Sequence, residues 1–175
     1  VYKSSAGDSP KIVYIYPGVG YGTQSYVDGR IKSKIESATN TITVIAPDNG
    51  TSWSDLKSAG ESALDGKTPS SKRLVGWSGG AVGLASALGS GDTFDAVWYA
   101  DPSPRPLLGK SHPSNVKMYY RPENWSGSLS SLGTMQKDQL APELGGRAQE
   151  IESGDNNHNE ILDQAVSEAL AESKT

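Results

Sequence analysis

The sequence has no cysteine in its 175 residues. Disulfides, thiol nucleophiles and thiolate metal sites are excluded together, while the redox compartment stays open. Histidine is almost as scarce. His112 and His158 are the only two, and two separated histidines without a cluster of further ligands argue against a metal site. No apolar run approaches the ~20 residues that a membrane-spanning helix needs. Basic blocks are absent as well. With 16 basic against 20 acidic residues and a net charge of −4, the chain lacks the clustered Lys and Arg that would neutralise phosphates, so a nucleic-acid partner is not expected. There is no internal repeat, low-complexity block, dividing linker or visible signal peptide. The abrupt start at Val1 leaves open a processed form or a domain cut from a larger protein.

What is present is an alternation of short apolar runs with helical patterns, the signature of an α/β domain. Its length suits one domain over residues 1–175. Strands are predicted at 12–16, 41–46, 73–76, 94–100, 116–120 and 148–151. Between them, Val27, Ile31 and Ile35 share one helical face, a second helix covers 54–64 with Ser54 as N-cap, and a small-residue helix covers 79–88. A last helix carries Ile161, Leu162, Ala165, Val166, Ala169 and Leu170 on one stripe. Residues 125–146 are poorly patterned and read as a loop with a short helix near 132–140. The expected fold is a three-layer α/β sandwich, a mostly parallel sheet of about six strands flanked by helices. In such sheets ligands sit beyond the carboxyl ends of the strands.

After the third predicted strand comes Gly76-Trp77-Ser78-Gly79-Gly80, and then a helix. This is G-x-S-x-G in a strand–turn–helix setting. A sharp turn there pushes the serine hydroxyl out over the sheet. Gly76 and Gly80 leave room for neighbouring backbone, and the helix start aims amides and its positive dipole end at the same point. A bland reading of the same five residues is a glycine-rich turn that holds an ordinary serine. Gly18, Gly20 and Gly22 after the first strand do not have dinucleotide-binding spacing, and Asp48, after Pro47, is not in the ribose position.

The segment Leu74-Val75-Gly76-Trp77-Ser78-Gly79-Gly80-Ala81 resembles the nucleophile elbow of the α/β-hydrolase superfamily. The resemblance runs from about Lys11 to the last helix. In compactness, and in lacking a long lid insertion, the chain is similar to cutinase-like esterases and small phage lysin esterases. The resemblance implies Ser78 as nucleophile and His158, just before the last helix, as its base. It also implies two oxyanion amides, Val19 and Gly79, although Pro17 stands where many members have His. The acid is implied at a strand end. Asp101, in Asp101-Pro102-Ser103-Pro104, is similar to the strand exit of the pancreatic-lipase group, and Glu123 at the end of the next strand is the alternative. His112 is expected to point to solvent at the far sheet edge. Trp77 and Tyr21 are the expected substrate contacts, with Tyr26, Trp53 and Trp125 near the same end. The implied activity is hydrolysis of carboxylic esters, bulky or polymeric, through an acyl-enzyme and without a cofactor. Acyl transfer or amide cleavage on the same residues stays open. So does a non-catalytic α/β module of a larger, for example virion, assembly, and a secreted or virion-associated location fits either.

Overall fold

Each apolar run read from the sequence becomes a strand of one sheet. The structure, a computed structural model, describes residues 1–4, 7–18, 23–151 and 157–171. In chain order its strands are β1 (Tyr2–Ser4), β2 (Lys11–Tyr16), β3 (Thr41–Ile45), β4 (Ser71–Trp77), β5 (Ala96–Ala100), β6 (Val116–Tyr120) and β7 (Ala148–Glu150). The α-helices are α1 (Thr23–Ser37), α2 (Trp53–Leu64), α3 (Ala81–Gly89), α4 (Ser130–Met135), α5 (Ala141–Leu144) and α6 (His158–Leu170).

The sheet order is β1-β3-β2-β4-β5-β6-β7. All neighbours are parallel except β1, which pairs antiparallel with β3 (Tyr2 opposite Thr43, Ser4 opposite Thr41). The sheet therefore has seven strands, not six. The added edge strand is three residues long and only half-buried, so no apolar run announces it.

Parallel central strands are covered on both faces and read as continuous apolar runs. β2 and β3 are buried along their whole length. Alternate side chains enter two cores. Ile12, Tyr14 and Tyr16 pack with Leu56, Leu84 and Leu144 on one face, while Val13 and Ile15 pack with Val27, Ile31, Ile161 and Val166 on the other. Thus α1 and α6 cover one side and α2, α3 and α5 the other. β2 lies between β3 and β4, so the chain reverses its direction of growth there. The carboxyl ends of β2 and β4 flank this switch point, where an open α/β sheet has its crevice.

Two expectations need correction. The N-cap of α2 is Ser52, whose side chain accepts from the Asp55 amide, and not Ser54. The stretch expected to be a loop with a short helix near 132–140 is helical there and over much of the rest, as a succession of short turns. Around α4 and α5 lie 3₁₀ turns at Pro122–Asn124, Gly127–Leu129 and Gly145–Arg147 and a wide π turn at Gln136–Leu140. Its buried residues, Gly133, Gln136, Leu140, Ala141 and Leu144, are too few and too unevenly spaced for a helical stripe to show.

Helix α6 is anchored at both ends. Asn157 caps its start by accepting from the Asn159 and Glu160 amides, each at 3.0 Å. At its end the buried Lys11 Nζ donates to the carbonyls of Leu170 (2.6 Å) and Ala171 (2.9 Å), and Arg73 Nη1 donates to those of Ala169 (2.8 Å) and Ala171 (2.6 Å). Cations suit the negative end of a helix dipole. Midway, Arg30 of α1 grips Asp163 with two bonds of 2.9 and 2.8 Å. Lys11→Met should strip the buried Leu170 carbonyl of its lysine donor, leave that of Ala171 to Arg73, and lower the unfolding free energy by about 2 kcal/mol, measured by urea denaturation.

Candidate active site

The turn that follows β4 places Ser78. Its φ is 54°, in the left-handed region that non-glycine residues rarely occupy. Ser78, Gly79 and Gly80 form a single 3₁₀ turn that leads directly into α3. Gly80 must be glycine, because a Cβ there would stand 2.4 Å from the Tyr16 carbonyl and 2.5 Å from that of Pro17. The end of β2 therefore lies directly against the elbow. Gly18 also lies close to the elbow, since a Cβ on it would be 3.1 Å from the Ser78 Cβ. The Ser78 carbonyl accepts from the Ser103 amide at 2.9 Å, which joins the elbow to the chain leaving β5.

That exit begins with Asp101, also left-handed at φ 42° and fully buried. A buried carboxylate must be matched by donors, and Asp101 has four. Oδ1 accepts from the Arg121 amide (3.2 Å) and Gln136 Nε2 (3.1 Å). Oδ2 accepts from Asn124 Nδ2 (2.9 Å) and faces His158 Nδ1 at 2.7 Å. The four lone-pair positions of a carboxylate are thereby used.

His158 is the first residue of α6, and its ring lies between two indoles. The centroid of Trp77 is 4.8 Å away and tilted, and that of Trp125 is 5.5 Å away and edge-on. Trp77 Nε1 also donates to the His158 carbonyl at 3.0 Å. The residue next to Ser78 thus holds the backbone and ring of His158. Among the described residues no hydrogen bond joins the Ser78 hydroxyl to His158. Catalytic hydrogen bonds are often long in unliganded proteins and tighten around substrate.

The structure brings Asp101 to His158 and leaves Glu123 outside. The Glu123 side chain is 67% exposed and faces Arg121 at 3.7 Å. Trp77 is only 6% exposed, and its ring is taken up by His158 and by a stacked Tyr26 at 6.0 Å. Trp53 belongs to the core, edge-on to Tyr14 and Phe94. Gly79 follows Ser78 in the elbow as expected, while Val19 and Tyr21 lie outside the described residues. His112 does not point to solvent. It is buried, with Nδ1 3.0 Å from the Tyr99 hydroxyl and Nε2 2.9 Å from Glu143. Burial pushes the phenol of Tyr16, at the end of β2, up to about 12.

Sequence reasoning missed Asn124 and Gln136. They lie 23 and 35 residues from the aspartate they bind, in the stretch without pattern, and no motif joins them to it. Among the described residues no three His, Asp or Glu side chains gather to hold a metal ion, and no helix is long and apolar enough to cross a membrane.

No protein-family model matches the chain, and no curated protein matches it in sequence. Solved structures do match in fold. An esterase, PE8, is 16% identical, with a TM-score of 0.57 over 95% of this chain and 94% of that one. Two siderophore hydrolases of Aspergillus nidulans, EstA and EstB, are each 14% identical over 93% of this chain. Their TM-scores are 0.53 and 0.56, over 82% and 83% of their own lengths. The fold is therefore the mostly parallel α/β sandwich that these enzymes share.

Asp101→Leu should leave the Arg121 amide, Asn124 Nδ2, Gln136 Nε2 and His158 Nδ1 beside an apolar group and lower the unfolding free energy by about 3 kcal/mol, whereas Glu123→Gln should change it by less than about 0.5 kcal/mol. Urea denaturation of the two variants checks both values.

Proposed function

We propose that the chain is a serine hydrolase of carboxylic esters. The observation that carries this reading is the meeting, at one end of the sheet, of a left-handed serine on a strand–helix elbow with a half-buried histidine bonded to a buried aspartate. The elbow's own Trp77 packs on the imidazole of that pair. The fold shared with an esterase and two siderophore hydrolases supports it.

In this reading Ser78 Oγ attacks the acyl carbon while His158 Nε2 takes its proton. Asp101, bonded to Nδ1, fixes the tautomer that leaves Nε2 free to accept and stabilises the imidazolium. The Gly79 amide, at the positive end of α3, donates to the developing oxyanion, and Val19, which follows Gly18, supplies the second amide. One such donor contributes roughly 3 kcal/mol to the rate. His158 then returns its proton to the leaving alcohol, which departs and leaves an acyl-enzyme. Water enters, gives a proton to His158 and attacks the acyl carbon, and the collapse frees the acid and restores Ser78. The reaction needs no cofactor. With no long insertion over the elbow, the reading extends to bulky or polymeric esters.

The test is intact mass after treatment with a fluorophosphonate, on wild type and on Ser78→Ala. A single adduct on wild type that disappears in the variant is expected. Hydrolysis of p-nitrophenyl butyrate should fall by roughly 10³-fold or more in Ser78→Ala and in His158→Ala. An unlabelled, folded wild-type protein overturns the reading in favour of a non-catalytic module.

A further inference from the structure

The Asp101 carboxylate is held by more than the histidine it faces. Asn124 Nδ2 bonds the same oxygen, Oδ2, that faces His158, and Gln136 Nε2 bonds the other one. Both come from the run of short turns beyond β6, which also sets Trp125 against the His158 ring. We propose that Asn124 and Gln136 are positioning residues for the acid. They fix the carboxylate plane so that Oδ2 stays aimed at His158 Nδ1. The inference rests on the esterase reading above.

The amide of Gln136 carries the stronger physical case. It is fully buried, and its Nε2 makes two bonds, to Asp101 Oδ1 at 3.1 Å and to the Pro102 carbonyl at 2.7 Å. Its Oε1 is buried with no partner among the described residues. Turning the amide over would set an acceptor against two acceptors, so the observed orientation is the only one that serves Asp101. A leucine of similar size would remove the orphaned oxygen, but it would also strip the donor from both Asp101 and Pro102. A buried polar group kept at that cost is explained by what its other end holds. Gln136 also opens the π turn Gln136–Leu140, a local widening of helix that recurs at functional sites. Asn124 is the complementary case. It is half-buried on a 3₁₀ turn, so its loss threatens the fold little.

The experiment measures steady-state hydrolysis of p-nitrophenyl butyrate against pH, with the rate of fluorophosphonate labelling and the Tm, for wild type, Asn124→Ala and Gln136→Glu. Asn124→Ala should lose roughly tenfold in kcat and in labelling rate with KM unchanged, the size of effect that one hydrogen bond to a charged group supports. Gln136→Glu should gain a new alkaline limb. A neutral carboxyl can still donate to Asp101, but an ionised one faces it with like charge, so activity falls as pH rises through the new group's ionisation. A merely structural residue would lower Tm without that limb. If wild type hydrolyses the ester and takes the label while both folded variants keep its kcat and pH profile, this inference falls alone. If Gln136→Glu does not fold, Asn124→Ala decides, and an unchanged kcat overturns the inference. A wild type inert to both ester and label overturns the esterase reading and this inference with it.

Discussion

A buried aspartate organises one end of this molecule. The carboxylate of Asp101 has left water entirely, and removing an ionised carboxylate from water costs several kcal/mol unless donors replace the lost solvent. They arrive from the start of α6, from the chain just beyond β6 and from the π turn. Hydrogen bonds to charged groups contribute about 1.5–3 kcal/mol each, so the four together offset the desolvation. The consequence is geometric. Four segments distant in sequence must reach one point together, and the ends of β5 and β6, the short helical turns and α6 are thereby fixed relative to one another.

His158 depends on a second set of contacts that hold its helix rather than its ring. Asn157 caps the start of α6, Arg30 clamps its middle to α1, and Lys11 and Arg73 take up the carbonyls at its end. Trp77 completes the arrangement by reaching from the elbow to the His158 carbonyl. Two of the four left-handed non-glycine residues among those described, Ser78 and Asp101, sit where these supports converge, the others being Asn40 and Asp65. Strain of this kind costs of order 1–3 kcal/mol per residue and persists where the surroundings over-determine the backbone. Here the Ser103 amide on the Ser78 carbonyl, and the Tyr119 carbonyl accepting from the Asp101 amide at 2.7 Å, do that work.

Much of the fold is legible in the chain because its signals are local. Buried parallel strands announce themselves as apolar runs, and α6 as a stripe at helical spacing. The setting of Ser78 is legible for the same reason, because glycines on both sides of a serine between strand and helix describe a turn within five residues. Where the signal was thin, the reading failed. The edge strand Tyr2–Ser4 has no apolar pattern, and the short turns of residues 122–147 bury too few side chains to show a period. His112 looked like a solvent-facing loop residue, because its partners Tyr99 and Glu143 lie 13 and 31 residues away.

By itself, then, the sequence determined the layered α/β architecture, the strand–helix turn that holds Ser78 and the helix that begins at His158. Each follows from periodicity and turn chemistry within a few residues. Only the tertiary structure decided which carboxylate stands beside His158, choosing Asp101 over Glu123. It also packed Trp77 on His158 and brought Asn124 and Gln136 to the aspartate. Those choices turn on how a buried charge finds its donors across the sheet, a condition set by strand order and packing.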